Sequence, residues 1–149
     1  MKLRIYLDTS VFSAYYDSRF ADRARLTVEF WRRLHEYEAS TSELTRREID
    51  LTRDAALRAK LRRLLGEVAV HGVTKKMAEL ADRYVARGIF SEGMFNDAVH
   101  VAAAVLTRQN VLLSWNFKHL VNRQRRSMVN QVNTELELPA IEIVAPPEL

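Results

Sequence analysis

Cysteine is absent from the 149 residues, which excludes a disulfide framework, a thiolate zinc site and a cysteine nucleophile, and which fits a reducing compartment. There are only four glycines and three prolines. That leaves little from which to build a phosphate-cradling loop, and neither the P-loop pattern nor the dinucleotide fingerprint is present, nor an HExxH pair or a GxSxG elbow. No apolar run approaches the roughly 20 residues that a membrane span needs. Met1 to Leu7 lacks the apolar core and cleavage site of a signal peptide. A cytoplasmic protein is therefore expected. Nothing repeats at a fixed period and no stretch is of low complexity, so solenoids and disordered tails are excluded as well.

What is present is an ordinary globular composition. With 48% hydrophobic and 28% charged residues, the chain can bury a real core, and its length reads as one domain over residues 1–149. Lys plus Arg outnumber Asp plus Glu by 23 to 19, a net charge of +4. Most of the basic residues are arginine, the better side chain for gripping phosphate by two parallel hydrogen bonds. On charge alone, a solvated basic surface is the simpler reading of so modest an excess.

Along the chain, short apolar runs alternate with helical patterns. Leu3, Ile5 and Leu7 open a strand that stops at Asp8-Thr9-Ser10, ahead of a short helix over Val11 to Tyr16. From Phe20 to Tyr37, Leu26, Phe30, Leu34 and Tyr37 recur at helical spacing. A helix over Leu44 to Leu65, broken near Arg53, is followed by a short strand around Val68 to Val70. Thr74 caps a helix with Met77, Leu80, Ala81 and Tyr84 on one face, ended by Gly88. Asp97 to Thr107 sets Ala98, Val101, Ala102 and Val105 on a narrow stripe, Val111 to Ser114 reads as a buried strand, and Ile141 to Val144 as the last one. Strands separated by helices predict an α/β fold, a parallel sheet covered on both faces. Ligands of such sheets bind outside the carboxyl ends of the strands.

At that edge stand acids with no reason to be solvated. Asp8 follows its strand directly; the plain alternative is a helix N-cap. Glu48 shares a helix face with Leu44, Leu51 and Ala55, so it turns inward and needs a partner, an arginine being the simplest. Glu43, Asp50 and Asp54 fall off that face. Asp97 opens the helix NDAVHVAAA, where the dipole alone would favour an acid. His100 lies one turn on, a substrate contact or simply a structural histidine. Asn116, in Ser114-Trp115-Asn116-Phe117, takes the place of Asp8 on a neighbouring strand; its alternative role is N-cap of a helix starting at Phe117. Clustered carboxylates repel one another, yet form a natural cage for a hard divalent cation.

At these residues the chain resembles the PIN-domain ribonucleases, and more narrowly the VapC-like toxins of type II toxin-antitoxin pairs. The matching pieces are IYLDTSVFSA, TSELTRREI around Glu48, NDAVHVAAA, LLSWNFKHL around Asn116, and the closing Asn130, Asn133 and IEIVAPPEL, in the right order along the whole chain. The resemblance implies a three-layer α/β/α fold with a central parallel sheet, a Mg²⁺ or Mn²⁺ site, RNA as substrate, a homodimer and an antitoxin partner. Asp8, Glu48 and Asp97 match the family's acids. Asn116 stands where the family often has a fourth, and Glu92 is the residue that could compensate.

The expected activity is metal-dependent endoribonuclease cleavage, with Asp8, Glu48, Asp97 and Asn116 as catalytic and metal residues. Arg46, Arg47, His100, Lys118, Arg123, Arg125 and Arg126 are the candidate RNA contacts. The rival from another class is a catalytically silent PIN-like module that binds RNA or a protein. A phosphatase using Asp8 as nucleophile is disfavoured, because the usual second aspartate two residues on is Ser10.

Overall fold

The structure, a computed structural model, describes residues 1–149. Five strands form one sheet: β1 (Leu3–Leu7), β2 (Tyr37–Ser42), β3 (Ala69–His71), β4 (Val111–Leu113) and β5 (Glu142–Val144). Their order is β3-β2-β1-β4-β5 and every neighbouring pair is parallel. Seven α-helices connect them: α1 (Thr9–Ser13), α2 (Ala21–Arg32), α3 (Glu43–Asp50), α4 (Ala55–Leu65), α5 (Lys75–Ala86), α6 (Phe95–Leu106) and α7 (Arg123–Glu135).

The two-residue period of a strand sorts the core into two faces. Ile5, Leu7, Val111, Leu113 and Val144 pack with Phe12 of α1, Phe30 and Trp31 of α2, Ile49 of α3 and Leu61, Leu64 and Leu65 of α4. The intervening Tyr6, Leu112 and Ile143 pack with Met77, Leu80 and Tyr84 of α5, the Ala98–Val105 stripe of α6, and Val129 and Val132 of α7. This is the three-layer α/β/α arrangement with a central parallel sheet. The alanines of α6, Ala102 to Ala104, are fully buried, so their smallness lets the helix lie close on the sheet.

Several boundaries differ from the sequence expectation. The helix at Thr9–Ser13 starts earlier because Asp8 itself is the N-cap, accepting from the Ser10 N–H at 3.0 Å; a 3₁₀ turn follows over Ala14–Tyr16. The pattern read as helical to Tyr37 ends at Arg32, and residues Tyr37–Ser42 are a strand. The long helix does break: α3 stops at Asp50, and Asp54 caps α4 through the Ala56 and Leu57 N–H groups. Leu51 is consequently 80% exposed rather than on the inner face, and Ile49 is buried in its place. Thr74 caps α5 through the Met77 N–H at 3.2 Å, and Gly88 follows at φ +74, where a side chain would be strained. No helix begins at Phe117; residues after β4 form a turn, and α7 starts only at Arg123.

The chain moves outward from β1 to β2 and β3 on one side, then returns to build β4 and β5 on the other. The crevice between the carboxyl ends of β1 and β4 is thus the point where strand order reverses, the place where open α/β sheets bind ligands. No helix is long and apolar enough to cross a membrane.

Candidate active site

Asp8 sits at that reversal point, 4% exposed. Its Oδ1 accepts from the Ser10 N–H at 3.0 Å and the Ser10 hydroxyl at 2.5 Å, and its Oδ2 from the Ser114 hydroxyl at 2.6 Å. Register places Leu7 opposite Leu113, so the residues that follow the two strands meet across the crevice. Burial pushes the Asp8 carboxyl above its ordinary range, with the Asp97 charge adding to the rise and His100, Ser10 and Ser114 opposing it. Asp8 therefore fills both roles read from the sequence, a cap and an acid at the ligand edge.

Glu48 does turn toward the interior, its side chain 30% exposed, but its partner is not an arginine. Its Oε1 accepts from the Thr9 hydroxyl at 2.7 Å and lies 2.7 Å from His100 Nε2. Desolvation alone would raise the Glu48 carboxyl, yet the bonds to His100 and Thr9 outweigh it and hold the group below its usual value. His100 Nδ1 meets the Tyr6 hydroxyl at 2.7 Å, which in turn meets Ser42 Oγ at 2.7 Å. The chain closes in either state of the ring: a neutral ring takes Ser42 to Tyr6, Tyr6 to Nδ1 and Nε2–H to Glu48, and a protonated one takes Nε2–H to Glu48, Nδ1–H to Tyr6 and Tyr6 to Ser42. Burial pushes the Tyr6 phenol upward, keeping it a donor.

This corrects the reading of His100 as an RNA contact. The ring is 3% exposed with both nitrogens engaged. It is a strut that holds Glu48, placed one turn from Asp97 on α6.

Asp97 occupies the first turn of α6, its side chain 22% exposed, with Oδ2 2.9 Å from His119 Nδ1. Asn116 follows β4 as expected. Its Oδ1 accepts from the His119 N–H at 2.9 Å and its own N–H donates to Ser114 Oγ at 2.9 Å. The amide thus organises a turn, in which Leu120 and Val121 N–H both bond the Asn116 carbonyl at 2.9 Å.

Asp8, Glu48, Asp97 and Asn116 are brought to one region, but their carboxylates are not drawn into a metal-ligating set: no three His, Asp or Glu side chains stand together at such distances. Each acid is bonded within the chain, Asp8 to serines and Glu48 and Asp97 to histidines. The donor chemistry nevertheless suits a hard cation, being all oxygen and including a buried carboxylate with no lysine or arginine against it.

Of the basic candidates, Arg47, Lys118 and Arg123 are exposed. Arg46 is paired with Glu43 at 3.0 Å, half-exposed. Arg125 and Arg126 are half-buried and bonded to backbone carbonyls. The Arg125 guanidinium donates to the carbonyls of Ile89, Lys118 and His119 and lies over the Phe90 ring, and Arg126 donates to the Ile143 carbonyl at 3.1 Å. Glu92 is exposed at the start of a 3₁₀ turn.

Sequence reasoning passed over Tyr6, Ser114 and His119. Ser114 carried a signal, a hydroxyl directly after a buried strand. His119 carried none, since its tie to Asp97 crosses from a turn to a helix.

By sequence, no family model and no curated protein matches the chain. By structure, it is similar to VapC20 of Mycobacterium tuberculosis, a Sarcin-Ricin loop cleaving toxin, with 19% identity over 77% of this chain and 92% of that one and a TM-score of 0.57. It is similar to VapBC2 from Rickettsia felis, solved with a DNA fragment from its promoter, with 12% identity over 96% and 98% of the two chains and a TM-score of 0.56. DNA-bound VapBC from Salmonella typhimurium matches with 17% identity over 97% and 98% and a TM-score of 0.54. At these identities the likeness is one of fold, the PIN-like three-layer arrangement of VapC toxins.

Proposed function

We propose that the chain is a divalent-cation-dependent endoribonuclease acting as the toxin of a toxin-antitoxin pair. The observation that carries this reading is the buried Asp8 carboxylate at the sheet's reversal point, with no lysine or arginine against it and Glu48 and Asp97 on the two helices beside it. A structural N-cap needs no second and third acid around it. Asp8, Glu48 and Asp97 would hold Mg²⁺ or Mn²⁺, with the Asn116 oxygen beside them. Such an ion, when bound, supplies Lewis acidity toward a phosphodiester and a water activated at neutral pH.

The protein's own residues do the positioning. Ser10 and Ser114 fix both oxygens of Asp8, so its carboxylate is aimed before substrate arrives. The Tyr6–His100 strut and Thr9 fix Glu48, and His119 fixes Asp97. Arg47, Lys118 and Arg123, exposed, grip phosphates and set register without reading sequence. Likeness to VapC and VapBC structures supports an antitoxin as partner. A homodimer in the cytoplasm is the accompanying expectation.

The test is incubation of the purified protein with a mixed RNA pool, with and without Mg²⁺ or Mn²⁺, beside the Asp8→Asn variant. Cleavage that needs the metal and disappears in the variant is expected. A wild-type chain that binds RNA but never cuts it, at any metal concentration, favours the silent module instead.

A further inference from the structure

Next to the acids lies a group of side chains that the cleavage chemistry does not use. The Arg23 guanidinium lies over three rings at once, 5.1 Å from the Phe20 centroid, 5.6 Å from Trp115 and 5.4 Å from Phe117. It makes no ion pair: Asp17, whose carboxylate feels its charge, is held by three bonds from Arg19. Trp115 is the floor of the group, 6% exposed, with its Nε1–H on Thr27 Oγ1 at 2.8 Å. Its backbone N–H donates to the Ser10 hydroxyl at 2.8 Å, and that hydroxyl bonds Asp8. Phe20 and Phe117, by contrast, are 51% and 48% exposed.

Two large rings left half in water, beside an arginine with unused N–H donors and one residue away from the acid site, are the parts of a base-stacking platform. We propose that Phe20 and Phe117 stack an unpaired base of the substrate RNA while Arg23 meets the adjoining phosphate, which fixes a single-stranded segment against Asp8. Trp115 couples this platform to the site, since the residue that floors it also bonds Ser10. The inference rests on the ribonuclease reading and adds that the strand is held by a flipped-out base rather than by charge alone.

The experiment measures binding in the non-cleaving Asp8→Asn background, by fluorescence anisotropy over a range of salt. The probes are a short unstructured oligoribonucleotide and its abasic counterpart. Phe20→Leu and Phe117→Leu, which keep apolar bulk but remove the π-face, should each weaken binding of the normal strand by about 5- to 150-fold, the range found for one stacked base. The salt slope should not change, because no phosphate contact is lost. Both variants should bind the abasic strand as the parent does, and Phe117→Tyr should bind both strands as the parent does. Arg23→Gln should instead lower the slope by roughly 0.7, one phosphate on a single strand. Leucine variants that bind the normal strand like the parent, or that lose equally on both strands, overturn the platform while leaving the ribonuclease reading intact. A parent that binds neither strand at low salt overturns the ribonuclease reading itself, and the platform with it.

Discussion

Replacing Asp8 by asparagine removes the one carboxylate that the fold buries with no lysine or arginine against it, and the structure lets the consequence be worked out. The carboxylate accepts three hydrogen bonds, from Ser10 N, Ser10 Oγ and Ser114 Oγ. An amide keeps Oδ1 as acceptor for Ser10. Its Nδ2 donates to Ser114 Oγ, which already accepts from the Asn116 N–H at 2.9 Å and whose proton turns to Ser10 Oγ at 3.4 Å. The bonds survive in weaker, neutral form, at a loss of about 1 kcal/mol each. Against this stands the relief of burying a charge, several kcal/mol for an ion in a protein interior. The net expectation is a metal-free variant about 1–3 kcal/mol more stable than wild type at neutral pH. At about 2–4 °C per kcal/mol for a chain this size, Tm rises by roughly 2–12 °C. The sign of the pH dependence follows from the raised Asp8 carboxyl. Between the unfolded value near ~4 and the folded one, the folded chain holds a proton that the unfolded chain has lost, so wild-type stability falls as pH rises through this window. Asparagine has no such slope. Its advantage should be absent near pH ~4 and widen as pH rises through that window, so melts of both proteins in chelator from there to neutrality are the assay. A variant that melts below wild type at neutral pH, or one whose advantage is the same at both ends, refutes the reasoning.

Glu48→Gln should abolish RNA cleavage while leaving Tm within a few degrees, because the amide still bonds Thr9 and His100; cleavage at the wild-type rate would show that Glu48 lies outside the site. With its carboxyl held low by His100 and Thr9, wild-type Glu48 contributes stability that is complete above ~4.3, its unfolded value, and is lost as pH falls through the folded one; in acid melts Glu48→Gln should lack this loss. Tyr6→Phe strands His100 Nδ1 and Ser42 Oγ in a buried setting, so it should cost about 1–3 kcal/mol and depress Tm accordingly, a loss that thermal melts would miss only if the strut were not formed. Asn116→Asp adds a charge that a hard cation prefers and keeps the acceptor for the His119 N–H; titrating Mg²⁺ against cleavage should give a lower half-saturating concentration, with a lower Tm in chelator. An unchanged metal requirement would confine Asn116 to its turn.

The sequence made the parallel sheet legible where strands are apolar, as at Leu3–Leu7 and Val111–Leu113. It hid β2, whose Tyr37–Ser42 is mostly polar. That strand lies between β1 and β3, and Thr41 spends its hydroxyl on the Leu7 carbonyl at 2.7 Å, so a polar residue is buried there without any apolar alternation to reveal it. Helix α7 was hidden for a related reason. Its buried Asn133 accepts from the Tyr84 hydroxyl at 2.5 Å, and Asn130 bonds both the N–H and carbonyl of Ile141 at 2.8 Å, so amides take positions where a pattern search expects leucine. The three acids were legible because each sits at a motif with a local meaning. Their histidine partners were not, because the Glu48–His100 and Asp97–His119 pairs join residues 52 and 22 positions apart. The helical wheel that placed Glu48 inward ran past the true end of α3, and so assigned Leu51 wrongly while assigning Glu48 correctly.

The hydrogen bond from Ser114 to Asp8 joins residues 106 positions apart, and it bears on the order in which the molecule comes into being. A chain emerging from a ribosome at about 5–20 residues per second presents Asp8 almost at once and Glu48 soon after. Asp8 waits for its Ser114 partner, because β1 gains its second neighbour only when Val111–Leu113 is out. His100 and His119, which hold Glu48 and Asp97, also come late. The arrangement proposed as the site therefore closes only as the last quarter of the chain docks. A truncation before β4 yields a polypeptide carrying Asp8, Glu48 and Asp97 without the Ser114 and His119 that fix two of them.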